Sequence, residues 1–147
     1  MYKIMIALHL LFAIFAIGPL VHAATTAARG IRHGDAKATA YSARMARIYA
    51  YASVLVVVFG FGVMSAKRNG KQVAEFSETW IWLSALLWLG AVALVLGVLV
   101  PSLDKATAAI GEQEPPTSLT TRVAASGGGV GVVFAVIVFL MVYRPGG

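Results

Sequence analysis

The chain has 147 residues, of which 59% are hydrophobic and only 12% are charged, with a formal net charge of +6 and no cysteine. So few charged residues argue against a water-soluble surface and favour an integral membrane protein. The lack of cysteine excludes disulfides, thiolate metal sites, iron–sulfur clusters and a cysteine nucleophile. The basic residues lie beside apolar segments, and no basic and aromatic module predicts binding to nucleic acid.

Four apolar segments are each close to the roughly 20 residues that a helix needs to cross the hydrocarbon core. They cover residues 4–27, 48–66, 80–100 and 123–143, and no Asp, Glu, Lys or Arg lies inside them. Their length and uniform apolarity favour helices over the alternating strands of a membrane barrel. The sequence therefore predicts an all-α membrane protein, a bundle of four transmembrane helices that forms a single integral membrane domain over residues 1–147.

The first segment can be interpreted in two ways. Lys3, the apolar run and Val21-His22-Ala23 are typical of a signal peptide with its cleavage site. The apolar run is nevertheless longer than the usual 7–15 residues, roughly 18 here, and basic residues that resist export follow it. We expect a retained helix with a kink at Pro19, because proline lacks an N–H and clashes with the carbonyl four residues earlier.

Small residues recur along one face of each predicted helix, where they allow neighbouring helices to approach closely. The face of the first helix also carries His9. Pro101 is expected to end the third helix, so that residues 101–121 form an irregular connection, and Arg68-Asn69-Gly70-Lys71 suits a tight turn. The residues that we predict to pack helix against helix are Ala13, Ala16, Gly60, Gly90, Gly97, Gly127 and Gly131.

The distribution of Lys and Arg predicts the orientation. The first and third connections carry seven of these residues and the opposite side carries five. The positive-inside rule then places both termini on the extracytoplasmic side of a bacterial cell membrane. The residues expected to anchor this topology at the membrane surfaces are Arg29, Arg32, Arg44, Arg47, Trp80, Trp82 and Arg144.

His9 and His22 are the ionisable residues inside the predicted membrane segments, and such residues are candidates for function. Neutral imidazole binds haem iron or copper and relays protons. Both histidines lie on one helix, about 20 Å apart in rise, and point in different directions, so we do not expect them to share one haem. A pair of His9 with a methionine stays open, and the candidates are Met45, Met64 and Met141. For each histidine a structural contact is the preferred interpretation and cofactor binding the alternative.

Three stretches carry a resemblance to a known family. They are Leu8-His9-Leu10-Leu11 followed by Gly18, then Arg47-Ile48-Tyr49, and finally Leu140 to Gly146. Together they resemble the uncharacterised four-helix "predicted integral membrane proteins" of high-GC Gram-positive bacteria, a likeness that implies a fold but no activity.

His9 alone also resembles the early histidine of two other groups, the CopD-type copper-resistance domains and the haem-binding HemJ-type oxidases. The aromatic and Arg-rich signature that follows this histidine in the HemJ group is absent, because this chain reads Gly18-Pro19-Leu20-Val21-His22.

The sequence thus favours a non-catalytic membrane protein with no predicted cofactor, whose partners are the lipid bilayer and other membrane subunits. We expect an accessory subunit of a bacterial, for example respiratory, membrane complex. The alternatives are a haem- or copper-binding protein or oxidase that uses His9, and a small transporter. The six carboxylates all lie in the predicted connections, which gives catalysis little support.

Overall fold

The computed structural model describes residues 1–114 and 116–146. Within these residues, four helices are long and apolar enough to cross a membrane. We number them α1 (Tyr2–Arg32), α2 (Ala36–Ser65), α3 (Thr79–Gly111) and α4 (Thr117–Tyr143). Two short strands, β1 (Lys67–Arg68) and β2 (Lys71–Gln72), form an antiparallel hairpin between α2 and α3. The predicted all-α four-helix bundle is confirmed.

The helices form a ring in chain order. The second part of α1 packs against both α2 and α4, and α3 packs against α2 and α4. We call the end with β1, β2 and Tyr143 the hairpin end, and the opposite end, with the connections after α1 and α3, the loop end. The core lies towards the loop end, where small side chains bring the helices close together. Its most deeply buried large side chains are Leu20, Leu99, Leu103, Val95, Val123 and Val130.

Two of the helices contain a π-helical turn just before a proline. In α1 the turn covers Ala13–Ile17 and separates Tyr2–Phe12 from Gly18–Arg32. In α3 it covers Val95–Leu99 and separates Thr79–Leu94 from Val100–Gly111. Each proline then lies in the first two residues of the next α-helical segment, where a missing N–H is tolerated. The expectation that Pro101 ends the third helix was therefore wrong.

The helices are also longer than the apolar segments from which they were predicted. The largest difference is in α2, which begins at Ala36 rather than near residue 48. Asp35 caps it, since a carboxylate oxygen accepts a hydrogen bond from the N–H of Ala38 at 3.0 Å. The added turns bury Thr39 and Ala43 against the bundle, so an amphipathic helix continues beyond the hydrocarbon-length segment.

The predicted tight turn in the hairpin is confirmed. Asn69 and Gly70 both have positive φ angles, 54° and 81°, which is the backbone pattern of a type I′ hairpin. Asparagine and glycine are the residues that adopt this conformation most readily. The hairpin pairs Lys67 with Gln72 and Arg68 with Lys71, and it therefore places several positive charges together at one end of the bundle.

Candidate functional site: His9 between two helices

His9 is half-buried between the first part of α1 and the second half of α2. Its Nδ1 lies 2.9 Å from the carbonyl oxygen of Val56. Because a carbonyl oxygen can only accept, this hydrogen bond requires that Nδ1 carries the proton and donates it. In the neutral imidazole, Nε2 then keeps its lone pair. A histidine that binds a metal commonly has this arrangement, with its other ring nitrogen donating to a backbone carbonyl.

The sequence makes room for the His9 ring by means of Gly60. A Cβ at this position would lie 3.2 Å from Cε1 of His9, which is closer than carbon atoms normally approach. One turn towards the hairpin end, Met5 lies over Gly62 in the same way. On the other side of His9, the ring of Phe12 stacks on Phe59 with centroids 4.9 Å apart.

Together these three contacts define the α1–α2 seam, which consists of Met5 with Gly62, His9 with Gly60, and Phe12 with Phe59. Gly60 was predicted to pack because small residues share its face of the second helix. That pattern did not identify His9 as the residue it contacts. The spacing of residues 5, 9 and 12 on one helical face is the signal that could have indicated it.

A second polar contact lies at Ser53, nearer the start of α2. The hydroxyl of Ser53 donates to the carbonyl of Ala50 at 2.6 Å and accepts from the indole Nε1 of Trp88 at 3.0 Å. One turn from Trp88 on α3, the hydroxyl oxygen of Ser84 is buried and has no hydrogen-bond partner among the described residues. Interhelical hydrogen bonds of this kind hold membrane helices together, so Ser53 and Trp88 join α2 to α3.

The structure does not bring His9 and His22 together. His22 is exposed and lies beyond the π-turn of α1, and its backbone carbonyl accepts a hydrogen bond from Thr26. Of the three methionines considered as partners for His9, Met141 is exposed, Met64 is buried in a separate cluster with Ala74 and Ile81, and Met45 packs against the main core. Within residues 1–114 and 116–146, no group of three or more His, Cys, Asp or Glu side chains could hold a metal ion.

The predicted packing residues fall into two groups. Gly127 of α4 faces the backbone of α1 directly, because a Cβ there would lie 2.0 Å from the carbonyl oxygen of Ala24. At Gly131, one turn on, a Cβ would lie 3.2 Å from Cγ2 of Thr25. In α1, Ala16 is buried and Ala13 is half-buried.

Gly90 and Gly97 differ from the expectation. Both are exposed, and no atom of another helix lies within 4 Å of where their Cβ would be. They lie on the outer face of α3, so neither brings two helices of this chain together. Two small-residue contacts that the sequence did not single out are Gly30 with Thr39 and Gly62 with Met5.

Of the predicted anchor residues, Arg44 and Arg47 lie inside α2, because this helix begins at Ala36, and the others lie near a helix end. Arg47 pairs with Asp104 at 3.0 Å, and both side chains are about half exposed. The guanidinium of Arg144 lies 5.4 Å from the ring centroid of Trp80. Exposed ion pairs contribute at most about 1 kcal/mol, so the pair of Arg47 with Asp104 adds little to the stability of the bundle. The other four anchors, Arg29, Arg32, Arg44 and Trp82, are exposed.

Glu78 precedes the first residue of α3, and its carboxylate accepts two hydrogen bonds. One comes from the backbone N–H of Glu75 at 2.8 Å and the other from the indole of Trp80. These two bonds, with the charge of Arg144, hold the pKa of Glu78 below its ordinary value of 4.5. The contribution of the ionised carboxylate to stability is therefore present above pH 4.5 and is lost as the pH falls through the lowered pKa.

We predict that the indole N–H resonance of Trp80, followed by NMR in detergent micelles, shifts with a midpoint below pH 4.5. The resonances of Trp82 and Trp88 serve as internal controls, and Glu78→Gln should abolish the shift of Trp80. A midpoint at or above 4.5 would contradict the hydrogen-bonded arrangement of Glu78.

Taken together, the fold and the contacts within it define a multi-pass α-helical membrane protein. Neither the models of known protein families, nor curated proteins, nor solved structures give a match to this chain.

Proposed function

We propose that the protein is a non-catalytic accessory subunit of a larger bacterial membrane complex, with a respiratory complex as the first one to test. The observation that carries the proposal is the sparse packing of the Tyr2–Phe12 segment of α1. This segment has no buried residue, and it packs extensively on α2 alone among the described elements. Leu10 and Leu11 in it, and Ile14 and Phe15 just after it, are exposed.

Helices in a bilayer associate through close packing and hydrogen bonds rather than through the hydrophobic effect. A membrane helix with one neighbour therefore gains stability when a second helix packs against its free side. The α1–α2 seam leaves the outer side of α1 available for that purpose. The proposal assigns this side to a helix of another subunit.

The test is purification from native membranes in a mild detergent, followed by determination of mass and composition. We expect a complex of fixed stoichiometry that Leu11→Ala/Phe15→Ala disrupts, while the isolated chain stays folded. The matched control is Leu83→Ala/Leu86→Ala, two exposed leucines on α3. A wild-type chain that purifies alone from freshly solubilised membranes would overturn the proposal.

A second candidate function is the binding of haem or copper by His9. The specific observation in its favour is the hydrogen bond from Nδ1 to Val56, which leaves Nε2 as a lone-pair donor for a metal. An absorbance spectrum and a metal analysis of the purified protein test it. Binding through His9 predicts a haem Soret band or bound copper that is lost in His9→Ala and kept in His22→Ala, and a colourless, metal-free protein excludes it.

We also propose that both termini and the hairpin lie on the extracytoplasmic side, as the count of Lys and Arg favours. Because the chain has no cysteine, single cysteines can report the orientation. A membrane-impermeant maleimide should label Lys71→Cys in intact cells and Glu112→Cys only after lysis. The reverse pattern of labelling would invert the topology.

A further inference from the structure

The chain contains two similar halves, which we call the first pair (α1 and α2) and the second pair (α3 and α4). In both α1 and α3 a π-turn, Ala13–Ile17 or Val95–Leu99, is followed two residues later by a proline. Both helices also end alike, since a residue of positive φ follows each of them, Gly34 at 62° and Gln113 at 61°. Because α1 and α3 run in the same direction, the two pairs are related like the parallel repeats of membrane proteins, by rotation about an axis along the membrane normal.

The packing of the four helices follows this repeat. Before its π-turn, α1 packs closely on α2 and α3 packs closely on α4, each within its own pair. After the π-turn, each also packs closely on a helix of the other pair, α1 on α4 and α3 on α2. The π-turns therefore lie where each helix leaves its own pair and joins a shared core. A helix also bends most easily at such a place, because the π-turn and the proline interrupt its regular hydrogen bonds.

Side chains, rather than closely packed backbones, connect the two pairs on the hairpin side of the π-turns. Met64 of α2 and Ile81 of α3 are buried in one apolar cluster. Among the described residues, one side-chain hydrogen bond joins the pairs there, from Nε1 of Trp88 to the hydroxyl of Ser53 at 3.0 Å. One turn from Trp88, Ser84 is only 5% exposed, and its hydroxyl has no partner in the described part of the chain. A buried hydroxyl without a hydrogen bond is costly, and contact with water removes that cost.

We propose that the two pairs separate on the hairpin side by bending at the two π-turns, and that the hydrogen bond between Trp88 and Ser53 holds them closed. Opening breaks this bond and admits water to Ser84, so the hydration of one hydroxyl offsets part of the loss. On the loop side, the close approach of Gly127 to the backbone of Ala24 holds α1 to α4. The movement is therefore confined to the hairpin side. This inference does not rest on the accessory role, because it concerns the isolated chain.

The test measures how fast a thiol at residue 84 reacts with a charged methanethiosulfonate in detergent. The chain has no cysteine, and Ser84→Cys exchanges one oxygen for sulfur. We expect Ser84→Cys to react slowly, and about fivefold faster when Ser53→Ala is added, as the loss of one hydrogen bond predicts. The matched control, Ser126→Ala, should leave the rate unchanged, since this hydroxyl bonds within its own helix. Ala91→Cys, buried on the same face of α3 nearer its π-turn, should stay unreactive in every background.

Spin labels test whether the pairs move as units. Ser65 and Tyr143 are exposed at the hairpin ends of α2 and α4, and Lys3 is exposed near the start of α1. In Ser53→Ala, labels at Ser65→Cys and Tyr143→Cys should give a longer distance than in the wild type. Labels at Lys3→Cys and Ser65→Cys lie within the first pair, so their distance should not change.

Three results would overturn the proposal. They are a rate at Ser84→Cys that Ser53→Ala leaves unchanged, an equal acceleration at Ala91→Cys, and an unchanged distance between the labels at residues 65 and 143. If Ser53→Ala does not fold, Trp88→Phe removes the donor of the same hydrogen bond, with the same expected results.

Discussion

Replacing Gly127 with alanine is expected to destabilise the bundle by about 1–3 kcal/mol, the usual cost of overpacking a close contact. The added Cβ would lie 2.0 Å from the carbonyl oxygen of Ala24 and 2.8 Å from its carbon. Both atoms belong to the backbone of α1, so no side-chain rotation can relieve the clash. The helices α1 and α4 must separate instead. The measurement is unfolding by titration with a denaturing detergent.

The control for this prediction is the neighbouring residue, Gly128. It is exposed, and no atom of another helix lies within 4 Å of where its Cβ would be. Because glycine is less favourable than alanine inside a helix by roughly 1 kcal/mol, Gly128→Ala should leave the stability unchanged or raise it. Equal effects of the two substitutions would show that Gly127 is not a close contact between helices.

Replacing His9 with alanine is expected to cost about 2 kcal/mol and to release Tyr2–Phe12 from α2. The substitution removes an interhelical hydrogen bond, worth roughly 0.6–1.7 kcal/mol in membrane proteins, and leaves a cavity beside Gly60. Since this segment packs extensively on α2 alone, the release should be local, with the loop end intact. Spin labels at Lys3→Cys and Lys67→Cys should report a longer and broader distance, and His22→Ala serves as the control.

Gly60 provides a second test of the same contact. Gly60→Val should also push α1 away from α2, because its Cβ would lie 3.2 Å from the His9 ring. In His9→Ala/Gly60→Val the imidazole ring is absent. The loss of stability caused by Gly60→Val should then be smaller by about 1 kcal/mol than in the wild type, as expected for residues in direct contact. Additive effects would show that His9 and Gly60 do not meet.

The apolar segments predicted the number of helices and their order, because a bilayer requires that each crossing segment satisfies its backbone internally. They did not predict where the helices end. Asp35 caps a helix that continues for three amphipathic turns before the apolar part of α2 begins. Hydropathy reports the part of a helix that lies in hydrocarbon, whereas caps determine its true length.

Pro101 shows a second limit of prediction from sequence. A proline within a helix either breaks it or is accommodated by a local widening, and the sequence alone favours the break. The π-turn of Val95–Leu99 provides the widening in α3, and Ala13–Ile17 does the same before Pro19. The choice depends on the packing of the following segment, which buries Leu103 and Ala106 in the core.

The candidate site was predicted in part. The position of His9 on a face of small residues indicated a contact with another helix, and the structure identifies that contact as Val56 and Gly60. Which glycines face a neighbouring helix could not be predicted, because every helix of this chain carries small residues. Gly127 meets a backbone, whereas Gly90 and Gly97 lie on an outer face. Only the arrangement of the four helices distinguishes them.

The proposed accessory role requires that the outer side of α1 packs against another membrane protein. Photo-crosslinking in native membranes tests it most directly, with the reactive residue at Phe15 of α1 or at Leu86 of α3, which are 65% and 62% exposed. We expect Phe15 to give one discrete protein adduct and Leu86 to give lipid adducts alone. No protein adduct from Phe15, or the same adducts from both positions, would contradict an accessory role carried by α1.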